Sequence, residues 1–154
     1  MADPIDVILG FFAGIVTGVA IQYLQLKHSL KIEKTKRLSP YLESASPILD
    51  EITHDSTYAA NVQLRDDEEE FERVLKRVSV SIAEYAKWFN DFRIDGMIPE
   101  LNSLDADLLS RFVGMFTHAT LCRLHGQEYL SQHVGEIAKY CTECKLMLET
   151  RLSD

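Results

Sequence analysis

Apolar residues along this chain follow two different rules. From Val7 to Leu26 they run almost continuously, VILGFFAGIVTGVAIQYLQL, with no charged residue between Asp6 and Lys27. Twenty helical residues at 1.5 Å rise span about 30 Å, the thickness of a bilayer's hydrocarbon core. Nine of the fifteen residues Val7–Ile21 are Val, Ile, Leu or Phe, which favours insertion by roughly 3–5 kcal/mol before the Gly and Thr corrections. Gln22 and Gln25 weaken the carboxyl end, and Tyr23 stands where an interfacial aromatic belongs. A cleaved leader would need a positively charged start, and this one reads MADPID. A core helix is the other alternative, because the strongest stretch is short. The expectation is a transmembrane helix with a short preceding tail, residues 1–26.

Beyond Pro40 the pattern changes to helical 3/4 spacing. Leu42, Ala45, Leu49, Ile52, Ala59 and Val62 keep that spacing, with Ser56 filling one slot. Ser39-Pro40 and Ser46-Pro47 each read as an N-cap followed by proline at the first helical position. The clearest seam is Phe71, Leu75, Val78, Ile82, Tyr85, Phe89 and Phe92, spaced 4-3-4-3-4-3. The acidic run Asp66–Glu70 precedes it, where negative charge complements a helix start, and Asp95-Gly96 supplies a left-handed stop. Residues 94–102, with Pro99, read as a loop. Ser103 is the expected cap of a third helix with the seam Leu108, Phe112, Met115, Ala119 and Cys122. Gly126 marks a hairpin, after which Leu130, Val134, Ile137, Cys141, Cys144 and Leu148 form the last seam. No useful length of strand-like alternation occurs. The predicted fold is all-α: one amino-terminal transmembrane helix (1–26), a basic juxtamembrane segment (27–39) and an antiparallel four-helix bundle (40–154).

Charge sharpens this division. The chain of 154 residues has a formal charge of −8. Lys27, Lys31, Lys34, Lys36 and Arg37 lie in the first forty residues, leaving 11 basic and 21 acidic residues in 41–154. The acidic balance argues against nucleic acid, which requires a positive surface. The five cations also set the expected topology, since basic flanks stay cytoplasmic. A short tail lies outside, residues 27–154 lie in the cytoplasm, and the basic collar contacts lipid headgroups.

Three sets of residues invite a chemical reading. Gly10, Gly14 and Gly18 recur every four residues beside Ala13 and Thr17, a small-residue stripe suited to self-association or to docking on another protein's membrane helix. His118, Cys122 and His125 are spaced i, i+4, i+7, with His133 and Cys141-x-x-Cys144 following. That is metal-ligand chemistry only if the groups converge. A turn at Gly126 puts Cys141 and Cys144 opposite Phe112 and Leu109, about 20–25 Å from His125, too far for one ion. A smaller site at His118, Cys122 and His133, or a redox pair at Cys141 and Cys144, stands against the alternative that each cysteine is a seam residue packed as a small hydrophobe. Finally, Trp88 adjoins Phe89 and one of the two points inward; a partly exposed Trp88 could anchor a partner helix or lie against the membrane, and ordinary packing is the favoured alternative.

No Gly-rich phosphate loop, nucleophile elbow or HExxH motif is present. The expectation is a non-catalytic membrane-anchored interaction, scaffold or accessory subunit without a cofactor. The alternatives are a membrane-tethered metal- or thiol-based sensor and a bundle that binds a small apolar ligand.

Overall fold

The computed structural model describes residues 4–154, and 95% of it is helical with no strand among the described residues. Its elements are α1 (Pro4–Gln63), α2 (Glu68–Ile94), α3 (Met97–Leu104) and α4 (Ala106–Ser153). α4 contains Gly126 at φ 64°, ψ −149°, which is not helical, so it consists of two arms, 106–125 and 127–153. The chain forms two compact units, Met1–Arg37 and Leu38–Asp154.

In the first unit every large apolar side chain from Ile5 to Ile32 is exposed, including Phe11 at 67% and Val16 at 67%. Large apolar side chains at 7, 8, 9, 11 and 12 cover rather more than half of the helix circumference within two turns, and Gly10, Ala13, Gly14 and Thr17 occupy the remainder, so no face is charged. The stretch holds an 18-residue window with mean hydropathy 2.0 and none of it buried, so one helix is long and apolar enough to cross a membrane. The Thr17 hydroxyl is satisfied internally, with Oγ1 donating to the Ala13 carbonyl at 2.8 Å.

The second unit is a four-helix bundle built from 38–63, α2 and the two arms of α4. Neighbours run antiparallel. Asp55 pairs with Arg77 and Tyr58 with Glu70 across α1 and α2. Arg111 pairs with Glu143 across the arms of α4, and Lys145 with Asp50 across the second arm and α1. The seams meet in one core, in which Leu49, Tyr85, Phe92, Phe112, Cys144 and Leu148 are all inaccessible or nearly so. Ser56 fits its apolar slot because its Oγ donates to the Ile52 carbonyl at 2.5 Å.

Three sequence expectations are corrected, and the alternatives for Trp88 are decided in favour of packing. Pro40 and Pro47 do not start helices; both lie inside α1. An interior proline costs about 3 kcal/mol or more through its lost hydrogen bond and ring clash. Both prolines are exposed, while Leu38, Leu42, Ala45 and Leu49 on the opposite side are buried. Burial of such side chains, at about 1.5–3 kcal/mol for each large one, holds the helix through the breaks. Residues 97–104 form α3 rather than a loop: Gly96 adopts φ 75° at its start, Pro99 falls in the first turn where its missing N–H is harmless, and Met97 and Leu101 are buried. The cap of α4 is Asp105, not Ser103. The Leu108 amide donates to Asp105 Oδ1 at 3.0 Å, whereas the Ser103 hydroxyl donates to the Glu100 carbonyl. Trp88 is buried at 8%, with its indole N–H donating to the Tyr41 carbonyl at 3.1 Å and to Ser44 Oγ at 3.0 Å. The rings of Phe92 and Phe112 lie 5.3 and 5.1 Å from it, so it is a core residue and not a surface anchor.

Candidate functional site

The His and Cys residues occupy two separate places. Near the Gly126 turn, Tyr129 lies between two histidines. Its hydroxyl shares a hydrogen bond of 2.9 Å with His118 Nδ1, and its ring stacks on His133 at 4.2 Å. His133 Nδ1–H donates to the Tyr129 backbone carbonyl at 2.9 Å. Each of these histidines thus commits its Nδ1 to Tyr129. Burial, together with His133, holds the His118 pKa below its ordinary value against the opposing pull of Glu136, so its imidazole is neutral at pH 7. No group of three or more His, Cys, Asp or Glu side chains converges in metal-binding geometry among the described residues.

Cys141 and Cys144 sit deep in the core, and the Cys141 thiol donates to the Leu49 carbonyl at 3.5 Å. Burial pushes Cys141 up to about 11 and Cys144 up to about 12. Cys122, half-buried, is pushed up to about 11 by the same cause. At pH 7 all three are thiols. A redox or metal-binding cysteine works as the thiolate and sits where cationic groups lower its pKa, and these environments act in the opposite direction.

Glycines also separate into two kinds. A Cβ added at Gly10, Gly14 or Gly18 meets nothing within 4 Å. A Cβ at Gly114 would lie 1.9 Å from the Tyr140 hydroxyl. Tyr140 is held in that place by Arg111, 5.3 Å over its ring, and by the edge of His118 at 5.4 Å. Gly114 is therefore set by packing inside the bundle, and the amino-terminal glycines are not. The cations Lys27, Lys31, Lys36 and Arg37 are exposed and Lys34 is half-buried, all on α1.

One concavity was not foreseen from the sequence. Between α2 and the first arm of α4 lies a half-open groove of about 650 Å³. Its apolar lining is Ile82, Ala83, Ala86, Phe116, Ala119 and Cys122. The signal in the sequence was the run of small residues at 83, 86 and 119, which leave space where a longer side chain would fill the contact. Cys122 is less buried than its seam neighbours because it opens onto this groove.

Comparison with known proteins gives no relative: no family model, curated protein or solved structure matches the chain.

Proposed function

We propose that the chain is a single-pass membrane protein whose helical bundle serves as a non-catalytic interaction, scaffold or accessory module of a membrane assembly. The observation that carries this reading is the contrast in burial. An apolar helix exposed on every face is stable only where something other than water surrounds it, while the bundle closes its own core. The span is α1 from about Val7 to Leu26. The cations Lys27, Lys31, Lys34, Lys36 and Arg37 contact anionic lipid headgroups and keep the bundle in the cytoplasm. Gly10, Gly14 and Gly18 provide the face on which a second copy or a partner's membrane helix packs. Glycine lowers helix stability by about 0.5–1 kcal/mol relative to alanine, and no contact within this chain calls for it at those positions.

A thiol-based sensor finds no support in the burial and protonation of Cys141 and Cys144, and a metal sensor finds none in the placement of His118, Cys122 and His133, since no group of three or more ligands converges among the described residues. The test uses the full chain in inverted bacterial membrane vesicles, whose cytoplasmic face points outward. Added protease should degrade the bundle, and cross-linking should trap an oligomer or partner adduct that Gly14→Ile reduces. Protection of residues 40–154 would overturn the orientation. A cross-linking pattern unchanged by Gly14→Ile would remove the glycine face.

A further inference from the structure

The groove between α2 and the first arm of α4 has a charge pattern that specifies an occupant. Its floor is apolar, with Ile82 and Ala119 almost inaccessible and Phe116 forming one wall. Its volume of about 650 Å³ falls within the roughly 300–1,000 Å³ of small-molecule sites. Ser79 and Asn90 mark its extent along α2. Eleven helical residues cover about 16 Å, the reach of a medium-length acyl chain.

Polar groups are not spread evenly around that floor. Because α2 and this arm are antiparallel, Arg123 shares one end with Ser79 and Thr120, while Asn90 and Asp91 lie toward the other with Phe116. Lys87 stands on the rim between them. Arg123 and Lys87 are both exposed, and neither forms an ion pair among the described residues. The lining thus holds two cations and one carboxylate, in a region, 41–154, with 21 acidic and 11 basic residues. An acidic bundle has placed two unpaired cations beside an apolar trough. Asp91 repels an anion from its own end and so fixes the direction in which a ligand lies. An unpaired guanidinium at one end of an apolar trough is well matched to a carboxylate; the Thr120 hydroxyl on the same lining donates to the Phe116 carbonyl at 2.9 Å, so the charge on Arg123 carries the recognition.

We infer that this groove binds a single-chain fatty carboxylate, with the head group on Arg123 near Ser79 and Thr120 and the tail on Ile82, Ala86 and Phe116. Lys87 adds to the attractive field along the rim. The site lies wholly within the bundle and is independent of the membrane reading of the first unit.

The chain's one tryptophan reports on it. Trp88 lies 6.3 Å from Phe89, which stacks at 4.7 Å on Phe116 in the groove wall. Full-length protein in nanodiscs of zwitterionic lipid is titrated with terminally brominated undecanoate, and quenching of Trp88 is measured. Expected is saturable quenching that laurate displaces at least tenfold more effectively than dodecanol. The double variant Lys87→Glu/Arg123→Glu, altered only at exposed positions, should weaken undecanoate binding at least tenfold with helicity unchanged by circular dichroism. Ala119→Phe, which fills the trough, should abolish it. Non-saturable quenching, equal displacement by laurate and dodecanol, or full affinity in the charge-reversed variant would each overturn the proposal. So would loss of quenching in discs doped with phosphatidylglycerol, which would assign the groove to a bilayer lipid instead. Should Ala119→Phe not fold, the charge-reversed variant decides.

Discussion

The two units of this chain use the same residue types under opposite rules. In 38–154 the Leu, Val, Ile and Phe residues of the core recur every three or four residues and are buried, with a few such as Leu64, Ile94 and Leu124 exposed outside that pattern; in the first unit they occur at consecutive positions and are all exposed. Among glycines, Gly114 in the bundle accommodates Tyr140, whereas Gly10, Gly14 and Gly18, like Gly135 in the bundle, have nothing within 4 Å of an added Cβ. A periodic pattern reports a side chain's neighbours within the fold, and a continuous one reports the medium around it. The bundle owes its stability to water's exclusion from a seam, and on the function proposed above the first unit lies in a bilayer, from which water is already absent.

Substitutions can break this comparison on one side at a time. The largest effect is expected at Phe112, which is inaccessible and contacts Trp88 and Phe92. Phe112→Ala should destabilise the bundle by about 3–5 kcal/mol in thermal or urea melts and leave membrane fractionation unchanged. The mirror experiment places arginine in the apolar stretch. Val16→Arg should disfavour insertion by about 2.5–3.5 kcal/mol, moving protein into the soluble fraction while the bundle's melting profile stays the same. A shift in both properties from either variant would show that the two units are not separable in this way.

The glycine contrast is next in size. Gly114→Ala should cost about 1–3 kcal/mol through overpacking, because Tyr140 must leave the position held by Arg111 and His118. Gly14→Ala should leave bundle stability unaltered. A smaller effect, about 1 kcal/mol, is expected for Asp105→Ala, which removes the cap on α4, and the same denaturation curves measure it. The thiols supply a pH test. Burial raises Cys141 and Cys144 above the ordinary value of 9.0, so the unfolded chain ionises first. The stabilisation is therefore fully present below pH about 9 and is lost as pH rises toward 11 and beyond. At pH 8 native Cys141 and Cys144 should resist alkylation and should react once the chain is unfolded, as mass spectrometry would show.

Much of this architecture was legible because it depends on spacing. The seam from Phe71 to Phe92 and the Gly126 turn follow from periodicity and from the one residue type that readily adopts positive φ. The prolines at 40 and 47 were misread because local preference was overridden by burial on the opposite side of α1, which no nearest-neighbour signal reveals. α3 was missed because eight residues hold only two buried anchors, Met97 and Leu101, too few for a period. Ser103 was read as the cap in place of Asp105 because both residue types cap helices and only the backbone angles separate the two positions. The membrane-length stretch and the separation of the His and Cys groups were readable from distances alone. The groove was not, since alanines mark a space only once the facing helix is known.

Urea offers the most direct test of two units held by different media. Full-length protein in membranes is exposed to increasing concentrations of urea, with Trp88 fluorescence followed alongside recovery in the lipid fraction. The account predicts that Trp88 becomes solvent-exposed in a cooperative transition while the chain remains with the lipid. Release from the membrane in step with the Trp88 transition would contradict it, because the apolar helix would then be held by the folded bundle rather than by the bilayer.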